Sequence, residues 1–356
     1  MVNIHHATAL APYINDPLLS ADTLAAYTES AHGLGLKVKV YNTVRELTAH
    51  SPEVLPLLQL GGEIFPDGAQ TGGAGAGHIW LQEHAPAGYV SAWYAPNVDD
   101  IAVVTAGESR WQNAYIHGLD QLLRRTGLDG VYLDDIAYDR HTMKRVRKVL
   151  ARHCAQPEVD IHSANQFNAK DGLASSANLY LELLPYTDRL WLGEYFDYDA
   201  ASAAYWLVEV SGIPFGLMGE MLEGGGNPWR GMVFAMTGRA PRVDNRPLWD
   251  FWANHRLAEA DMVGWWAANA PVRTSHPEVL ATSWLTPAGL VVALASWAGT
   301  EVDVQLEFSP GYAQLASAER DAPPIHDFQA GRRYAPKEHI TVRPQRGLLL
   351  VIGTSA

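Results

Sequence analysis

Short apolar stretches alternate along most of the chain with longer stretches of helical period. The apolar stretches that predict strands cover residues 2–5, 37–44, 130–135, 159–163, 190–194 and 213–219, and one more strand is expected within 79–94. The stretches that predict helices cover residues 21–33, 109–126 and 229–237. Strands that alternate with helices are typical of βα units around a parallel sheet. The sequence therefore predicts an α/β fold, a (β/α)8 TIM-like barrel that is about one strand short and incomplete at its N-terminus.

The period changes in the last part of the chain. Val302, Val304, Leu306 and Phe308 alternate with polar residues, and Pro and Gly interrupt the region without a long helical stretch. Alternation with period two indicates strands with one buried face. We expect a barrel domain over residues 1–275 and a small antiparallel, sandwich-like β domain over 276–356.

Composition narrows the function. The formal net charge of −13 argues against nucleic acid as a partner, because a phosphate backbone binds clustered Lys and Arg. No apolar run approaches the length of a membrane span. Cys154 is the only cysteine, so neither an internal disulfide nor a thiolate metal site is expected. The start of the chain does not resemble a signal peptide; the protein is secreted or periplasmic if a leader was removed, and otherwise cytoplasmic. The oligomeric state stays open.

Acidic residues follow three of the predicted strands. Asp134 and Asp135 end one strand, Glu194 ends a later one, and Glu220 ends the last. In a βα-barrel the active site forms at the carboxyl ends of the strands. Cleavage of a glycosidic bond needs an acid for the leaving oxygen and a second group at the anomeric carbon, so these four residues are the predicted catalytic groups. Asp134 and Asp135 point to opposite faces for as long as the strand stays extended.

Aromatic and polar residues are predicted near the same strand ends. Twelve Trp and fifteen Tyr suit the stacking of rings on sugars, which makes an oligo- or polysaccharide the expected partner. The residues predicted to bind substrate are His5, His6, Tyr41, Asn42, Arg45, Trp80, Glu83, His84, Trp93, His162, Asn165, Trp191, Tyr195 and Arg230. Asp134, Asp135 and Asp139 do not have the spacing of a calcium-binding loop, and no metal or other cofactor is predicted.

Several stretches resemble bacterial proteins of glycoside hydrolase family 123 and its uncharacterised relatives. The similarity is carried by residues 129–140 (DGVYLDDIAYDR), 162–168, 191–199 and 219–230, and it extends over most of the barrel. The resemblance implies a β-N-acetylgalactosaminidase-like enzyme in which the substrate's own acetamido oxygen attacks the anomeric carbon. It also implies that Asp134 orients the acetamide and that Asp135 is the acid. Family members usually carry a β-sandwich ahead of the barrel, which favours a truncated start here.

One position departs from that family pattern and leaves alternatives open. The family pair is Asp-Glu, whereas the second member here is Asp135, whose side chain is one methylene shorter. An α- or β-glycosidase with Asp135 as nucleophile and Glu194 as acid/base is therefore an alternative. A non-catalytic carbohydrate-binding barrel and another carbohydrate-active enzyme, such as a lyase, are further hypotheses.

Overall fold

The computed structural model divides into two compact units. Unit 1 comprises Met1–Leu192 and Val210–Met218, and unit 2 comprises Gly193–Glu209 and Gly219–Ala356. The structure describes residues 1–6, 8–43, 46–48, 50–60, 100–102, 110–134, 139–162, 182–192, 202–204, 218–220, 228–235, 244, 246–287, 289–316 and 324–353.

Unit 1 is built on a sheet of parallel strands. Its strands are β1 (Val2–Ile4), β2 (Val38–Thr43), β5 (Gly130–Asp134), β6 (Glu158–His162) and β7 (Arg189–Leu192), and β8 (Met218–Glu220) begins at the last residue of unit 1. The spatial order is β1-β2-β5-β6-β7-β8. The successive pairings from β1 to β7 are all parallel. The short strands β3 (Glu46–Thr48) and β4 (Asp100–Ala102) form a separate antiparallel pair. The predicted parallel sheet is confirmed.

The α-helices that the structure describes in unit 1 are α1 (Ala21–Gly33), α2 (Val54–Leu58), α3 (Arg110–Thr126) and α4 (Arg140–His153). The helices predicted over 21–33 and 109–126 are found as α1 and α3, with bounds that agree to within one residue. Asp139 begins α4 as its N-cap, because its carboxylate accepts the backbone N–H groups of His141 and Thr142. None of the helices that the structure describes combines the length and apolar character needed to cross a membrane.

The strand expected within residues 79–94 lies outside the described part of the chain and stays a prediction. In the described sheet, β5 pairs directly with β2. The helix predicted over 229–237 needs correction, because it is shorter than expected. It spans Pro228–Gly231 (α5), continues as a 3-10 turn over Met232–Phe234, and stops at Ala235, which has a left-handed φ of 59°.

Unit 2 contains the antiparallel β domain that the change of period predicts. Its described strands are β9 (Asp261–Val263), β10 (Val272–Thr274), β11 (Val279–Thr286), β12 (Gly289–Ser296), β13 (Val302–Val304), β14 (Leu306–Phe308), β15 (Ile325–Asp327), β16 (Arg333–Tyr334), β17 (Ile340–Val342) and β18 (Gly347–Gly353). The main sheet has the order β16-β15-β18-β12-β11-β9, and two further strand pairs, β10-β14 and β13-β17, accompany it.

The central strand β12 is covered on both of its faces. Leu290, Val292 and Leu294 pack in a core with the other strands of the domain. Val291 and Ala293, on the opposite face, pack in a second core that includes residues of α6 (Arg246–Asn254). Alternation along one strand thus supplies two hydrophobic cores, which explains why β12 is apolar at nearly every position. The predicted boundary after residue 275 stays a prediction.

Candidate active site

The carboxyl ends of the parallel strands place several predicted residues on one face of the sheet. Tyr41 of β2 lies opposite Tyr132 of β5, and Thr43 lies opposite Asp134. Further along the sheet, His162 of β6 lies opposite Trp191 of β7. Because side chains alternate along each strand and opposed residues share a face, Tyr41, Asp134, His162 and Trp191 project from the same side.

The Asp134 carboxylate is held on both of its oxygens. His162 Nδ1 lies 2.6 Å from Oδ1, and the Tyr41 hydroxyl donates a hydrogen bond to Oδ2. The Asp134 side chain is 25% exposed and the His162 side chain is 10% exposed. Hydrogen bonds to an ionised carboxylate are stronger than those between neutral groups. The carboxylate is therefore fixed in orientation while one side of it still reaches the surface.

A group of rings surrounds Tyr41. Its centroid lies 4.2 Å from that of His5, 4.5 Å from that of His6 and 5.5 Å from that of Tyr132. The pKa of His6 is lowered to about 4, mainly by burial and also by the neighbouring His5, with Asp134 opposing the shift. His6 is therefore neutral at pH 7 and adds no positive charge beside the carboxylate.

A second group of residues lies deeper on the same face. The indole Nε1 of Trp191 donates to Oδ2 of Asp160 at 2.7 Å, and Lys39 Nζ donates to the same oxygen. The Trp191 and Tyr132 ring centroids are 6.1 Å apart, and the Arg189 guanidinium carbon lies 5.7 Å from the Trp191 centroid. Tyr132 therefore stands between the Asp134 group and the Trp191 group.

Other predicted site residues take different positions. Asn42 is 1% exposed and accepts a hydrogen bond from the hydroxyl of Tyr115 on α3, so it does not join the face that carries Asp134. Arg230 belongs to unit 2, where it is 5% exposed and its guanidinium carbon lies 4.2 Å from the Trp297 ring centroid. Glu220 is the last residue of β8, and its side chain lies outside the part of the protein that the structure describes.

The remaining predicted residues fall outside the described part of the chain. They are Arg45, Trp80, Glu83, His84, Trp93, Asp135, Asn165, Glu194 and Tyr195. Their predicted roles stay predictions.

Sequence reasoning missed three residues of this face, namely Lys39, Tyr132 and Asp160. A signal for them was present: Lys39 and Asp160 are charged residues inside otherwise apolar strands, and each lies two positions before a predicted site residue. Two positions along a strand return to the same face. Asp139, which entered the sequence analysis as a possible metal ligand, instead caps α4 and also accepts the hydroxyl of Thr142 at 2.7 Å.

The geometry can orient a polar group of a ligand against Asp134. An ionised carboxylate accepts hydrogen bonds on both oxygens, and on Asp134 one comes from Tyr41 and one from His162. Because the Asp134 side chain is 25% exposed, an N–H or O–H donor of a sugar can approach the carboxylate. Within the described ranges, no cluster of three or more His, Cys, Asp or Glu side chains has an arrangement that could hold a metal ion.

Comparison with known families assigns both parts of the chain. The family model described as "Glycoside hydrolase 123, TIM-barrel domain" matches residues 1–241, and "Glycoside hydrolase 123, C-terminal domain" matches residues 244–353. A comparison with curated proteins found no match.

Solved structures with a similar fold include several α-amylases. A maltogenic α-amylase from Thermotoga neapolitana has a TM-score of 0.56 at 11% identity, with 93% of this chain and 81% of that chain covered. The α-amylase of Geobacillus thermoleovorans, complexed with acarbose, has a TM-score of 0.56 at 9% identity, with 93% and 80% covered. An Anoxybacillus α-amylase has a TM-score of 0.55 at 10% identity, with 94% and 80% covered. At these identities the similarity shows the fold alone, a TIM barrel with a C-terminal β domain.

Proposed function

This chain belongs to glycoside hydrolase family 123, and we propose that this glycosidase cleaves β-linked N-acetylhexosaminides with the help of the substrate's own acetamido group. The observation that carries the proposal is the double attachment of Asp134. Its Oδ1 is bound by His162 and its Oδ2 by Tyr41, so the carboxylate is oriented as a fixed acceptor. A fixed acceptor suits the acetamide N–H of an N-acetyl sugar.

Asp134 is better suited to orienting than to attacking. A nucleophilic carboxylate must offer an oxygen lone pair to the anomeric carbon, and hydrogen bonds from charged or polar donors reduce the electron density on that oxygen. Both oxygens of Asp134 carry such a bond. The same negative charge, held without reorganisation, stabilises the positive charge that develops on the acetamide as its oxygen attacks.

The proposed reaction has two steps. In the first, the acetamido oxygen bonds to the anomeric carbon, the glycosidic C–O bond breaks, and the carboxyl of Asp135 gives its proton to the leaving oxygen. In the second, water attacks the anomeric carbon, the bond to the acetamido oxygen breaks, and the water proton returns to Asp135. Asp134 accepts the acetamide N–H throughout and stabilises the cyclic oxazolinium intermediate.

Substrate assistance is tested by weakening the internal nucleophile. Nitrophenyl β-N-acetylgalactosaminide and β-N-acetylglucosaminide are compared with their mono-, di- and trifluoroacetyl analogues and with α- and β-hexosides that lack the amide. Because fluorine withdraws electrons from the acetamido oxygen, we expect kcat/KM to fall with each fluorine and the plain hexosides to stay uncleaved. Cleavage of a plain hexoside at a comparable rate would refute substrate assistance and favour an enzymic nucleophile, Asp135 with Glu194.

The roles of the two Asp residues are separated by leaving-group dependence. Asp135→Asn should retain more activity on a dinitrophenyl glycoside than on a methylumbelliferyl glycoside, because a good leaving group needs no proton. Asp134→Asn should lose activity on both. Asp129→Asn is the matched control: Asp129 precedes the same strand at its opposite end, where it accepts the backbone N–H of Val38 at 2.7 Å. Equal losses in Asp129→Asn and Asp134→Asn would assign the effect to stability.

A further inference from the structure

A buried ion pair crosses the sheet beneath the candidate active site. Lys39 of β2 and Asp160 of β6 are joined from Nζ to Oδ2, with side chains 1% and 0% exposed. The two strands are not neighbours, because β5 lies between them. The β5 residue in register with Lys39 is Gly130, which has no side chain and so leaves space for the lysine to reach across.

The same carboxylate oxygen binds an aromatic residue of the site. Trp191 Nε1 donates to Asp160 Oδ2 at 2.7 Å. No hydrogen-bond donor of the described residues reaches the other oxygen, Oδ1, which is buried. In the described structure, the hydrogen bonds that Asp160 accepts therefore come from Lys39 and Trp191.

One residue, His162, lies between Trp191 and the Asp134 carboxylate. Trp191 lies opposite His162 in the sheet register, and His162 Nδ1 is 2.6 Å from Asp134 Oδ1. Its ring is partly exposed, whereas Lys39 and Asp160 are not. Arg189 lies over the indole at 5.7 Å, so a sugar would contact the other face of the ring.

The ion pair has no evident value for stability. Removal of two charges from water carries a large desolvation penalty, and replacement of a buried pair by apolar residues is often neutral or stabilising. A Trp side chain has two rotatable torsions, and a hydrogen bond from its N–H adds a directional restraint to the packing of its ring. A charged acceptor held in place by Lys39 fixes the plane of the indole.

We propose that Lys39 and Asp160 are positioning residues that hold Trp191 as a wall for the apolar face of the substrate sugar. This inference rests on the proposed function only in assuming that a sugar occupies the site beside Asp134. Lys39 acts through Asp160, and Asp160 acts through the indole N–H of Trp191.

Two double variants test the proposal. Each removes the charges of Lys39 and Asp160, and only one keeps a hydrogen-bond acceptor for the Trp191 N–H. Lys39→Met with Asp160→Asn retains an amide oxygen at position 160, whereas Lys39→Met with Asp160→Leu retains none. We expect the Leu variant to have a KM about five- to tenfold higher than the Asn variant, as for loss of one oriented hydrogen bond, with similar melting temperatures. Equal kinetic constants in the two variants would overturn the proposal.

The chain supplies a matched control for charge removal at the start of the same two strands, just before β2 and at the first residue of β6. Lys37 and Glu158 form an ion pair at 2.9 Å two positions before Lys39 and Asp160, and both are partly exposed. Lys37→Met with Glu158→Gln removes the same charges without touching Trp191, so its KM should stay below that of the Leu variant. A KM as high in this control would assign the effect to charge alone.

A milder variant and a spectroscopic measurement keep the test independent of folding and of the proposed function. Trp191→Phe keeps a ring but removes the N–H; it should raise KM in the Asn background and have no further effect in the Leu background. The Trp191 indole N–H signal in ¹⁵N NMR, identified by its loss in Trp191→Phe, should exchange slowly with solvent in the Asn variant and fast in the Leu variant. Equal exchange refutes the positioning role, whichever glycoside the enzyme cleaves. If the enzyme cleaves only plain hexosides, the proposed function fails and the same comparison is made on them.

Discussion

Replacement of Tyr41 by Phe removes a single hydroxyl from the candidate active site. Tyr41 is 6% exposed, and its ring stacks on Tyr132 and packs at a tilt against His5 and His6, contacts that Phe keeps. The hydroxyl donates to Asp134 Oδ2, and a hydrogen bond to a charged group contributes about 1.5–3 kcal/mol. If Asp134 acts in the transition state, kcat/KM should fall roughly 10- to 150-fold, since about 1.4 kcal/mol corresponds to a factor of ten.

The effect of Tyr41→Phe is measured as kcat/KM on the best nitrophenyl substrate, together with urea denaturation. Tyr115→Phe is the matched control, because Tyr115 is also a buried tyrosine of unit 1 whose hydroxyl donates, at 3.0 Å, to an uncharged group, the Asn42 side chain. We expect this control to lose about 1 kcal/mol of folding free energy and little activity. If Tyr41→Phe retained kcat/KM within about twofold of the unmodified enzyme, the reasoning that the hydroxyl orients a catalytic Asp134 would be refuted.

Three further predictions concern stability and are checked by urea denaturation. The pKa of His6 is lowered from 6.5 to about 4, so the unfolded chain binds more protons between these values. The free energy of unfolding should therefore fall by about 2–3 kcal/mol as the pH drops from 7 to 4, and His6→Phe should remove this part of the pH dependence; an unchanged slope would contradict it. Gly130→Ala should destabilise the protein by at least about 2 kcal/mol, because the new Cβ would collide with the backbone carbonyl of Glu158; Gly33→Ala, where no atom lies within 4 Å of the added Cβ, is its control. Asp139→Ala should cost about 1 kcal/mol through loss of the α4 N-cap, and Asp139→Asn should restore most of it.

The fold was predictable because its signals are local. The helix predicted over residues 21–33 is found at Ala21–Gly33, and the strand predicted over 130–135 is found at Gly130–Asp134. Each element is set by apolar period and by Gly or capping residues nearby in the chain. The family followed from long motifs, and the family models confirm it. The short helix at Pro228–Gly231 was overestimated because a left-handed residue such as Ala235 gives no sequence signal.

The site was predictable only in part, because it depends on register between distant strands. Asp134 and His162 each follow from their positions at strand ends, but their contact requires β5 and β6 to pair in one particular register. Asn42 shows the opposite case. It is adjacent to Tyr41 in sequence, yet alternation turns it toward Tyr115 on α3. Whether a polar residue near a strand end faces the sheet interior or a helix is decided by one residue of register.

Tyr132 gives the two groups of this face a common element. Its ring stacks on Tyr41 at 5.5 Å, and Tyr41 holds Asp134. Its ring also lies 6.1 Å from that of Trp191, which Asp160 holds. Tyr132 is 1% exposed and reaches neither solvent nor, by this geometry, the substrate. It follows that the group proposed to orient the acetamide and the group proposed to face the apolar side of the sugar are packed against the same ring. A substitution in either group that alters its contact with Tyr132 should therefore affect the other group. A substitution that preserves the aromatic rings should leave the other group unaffected.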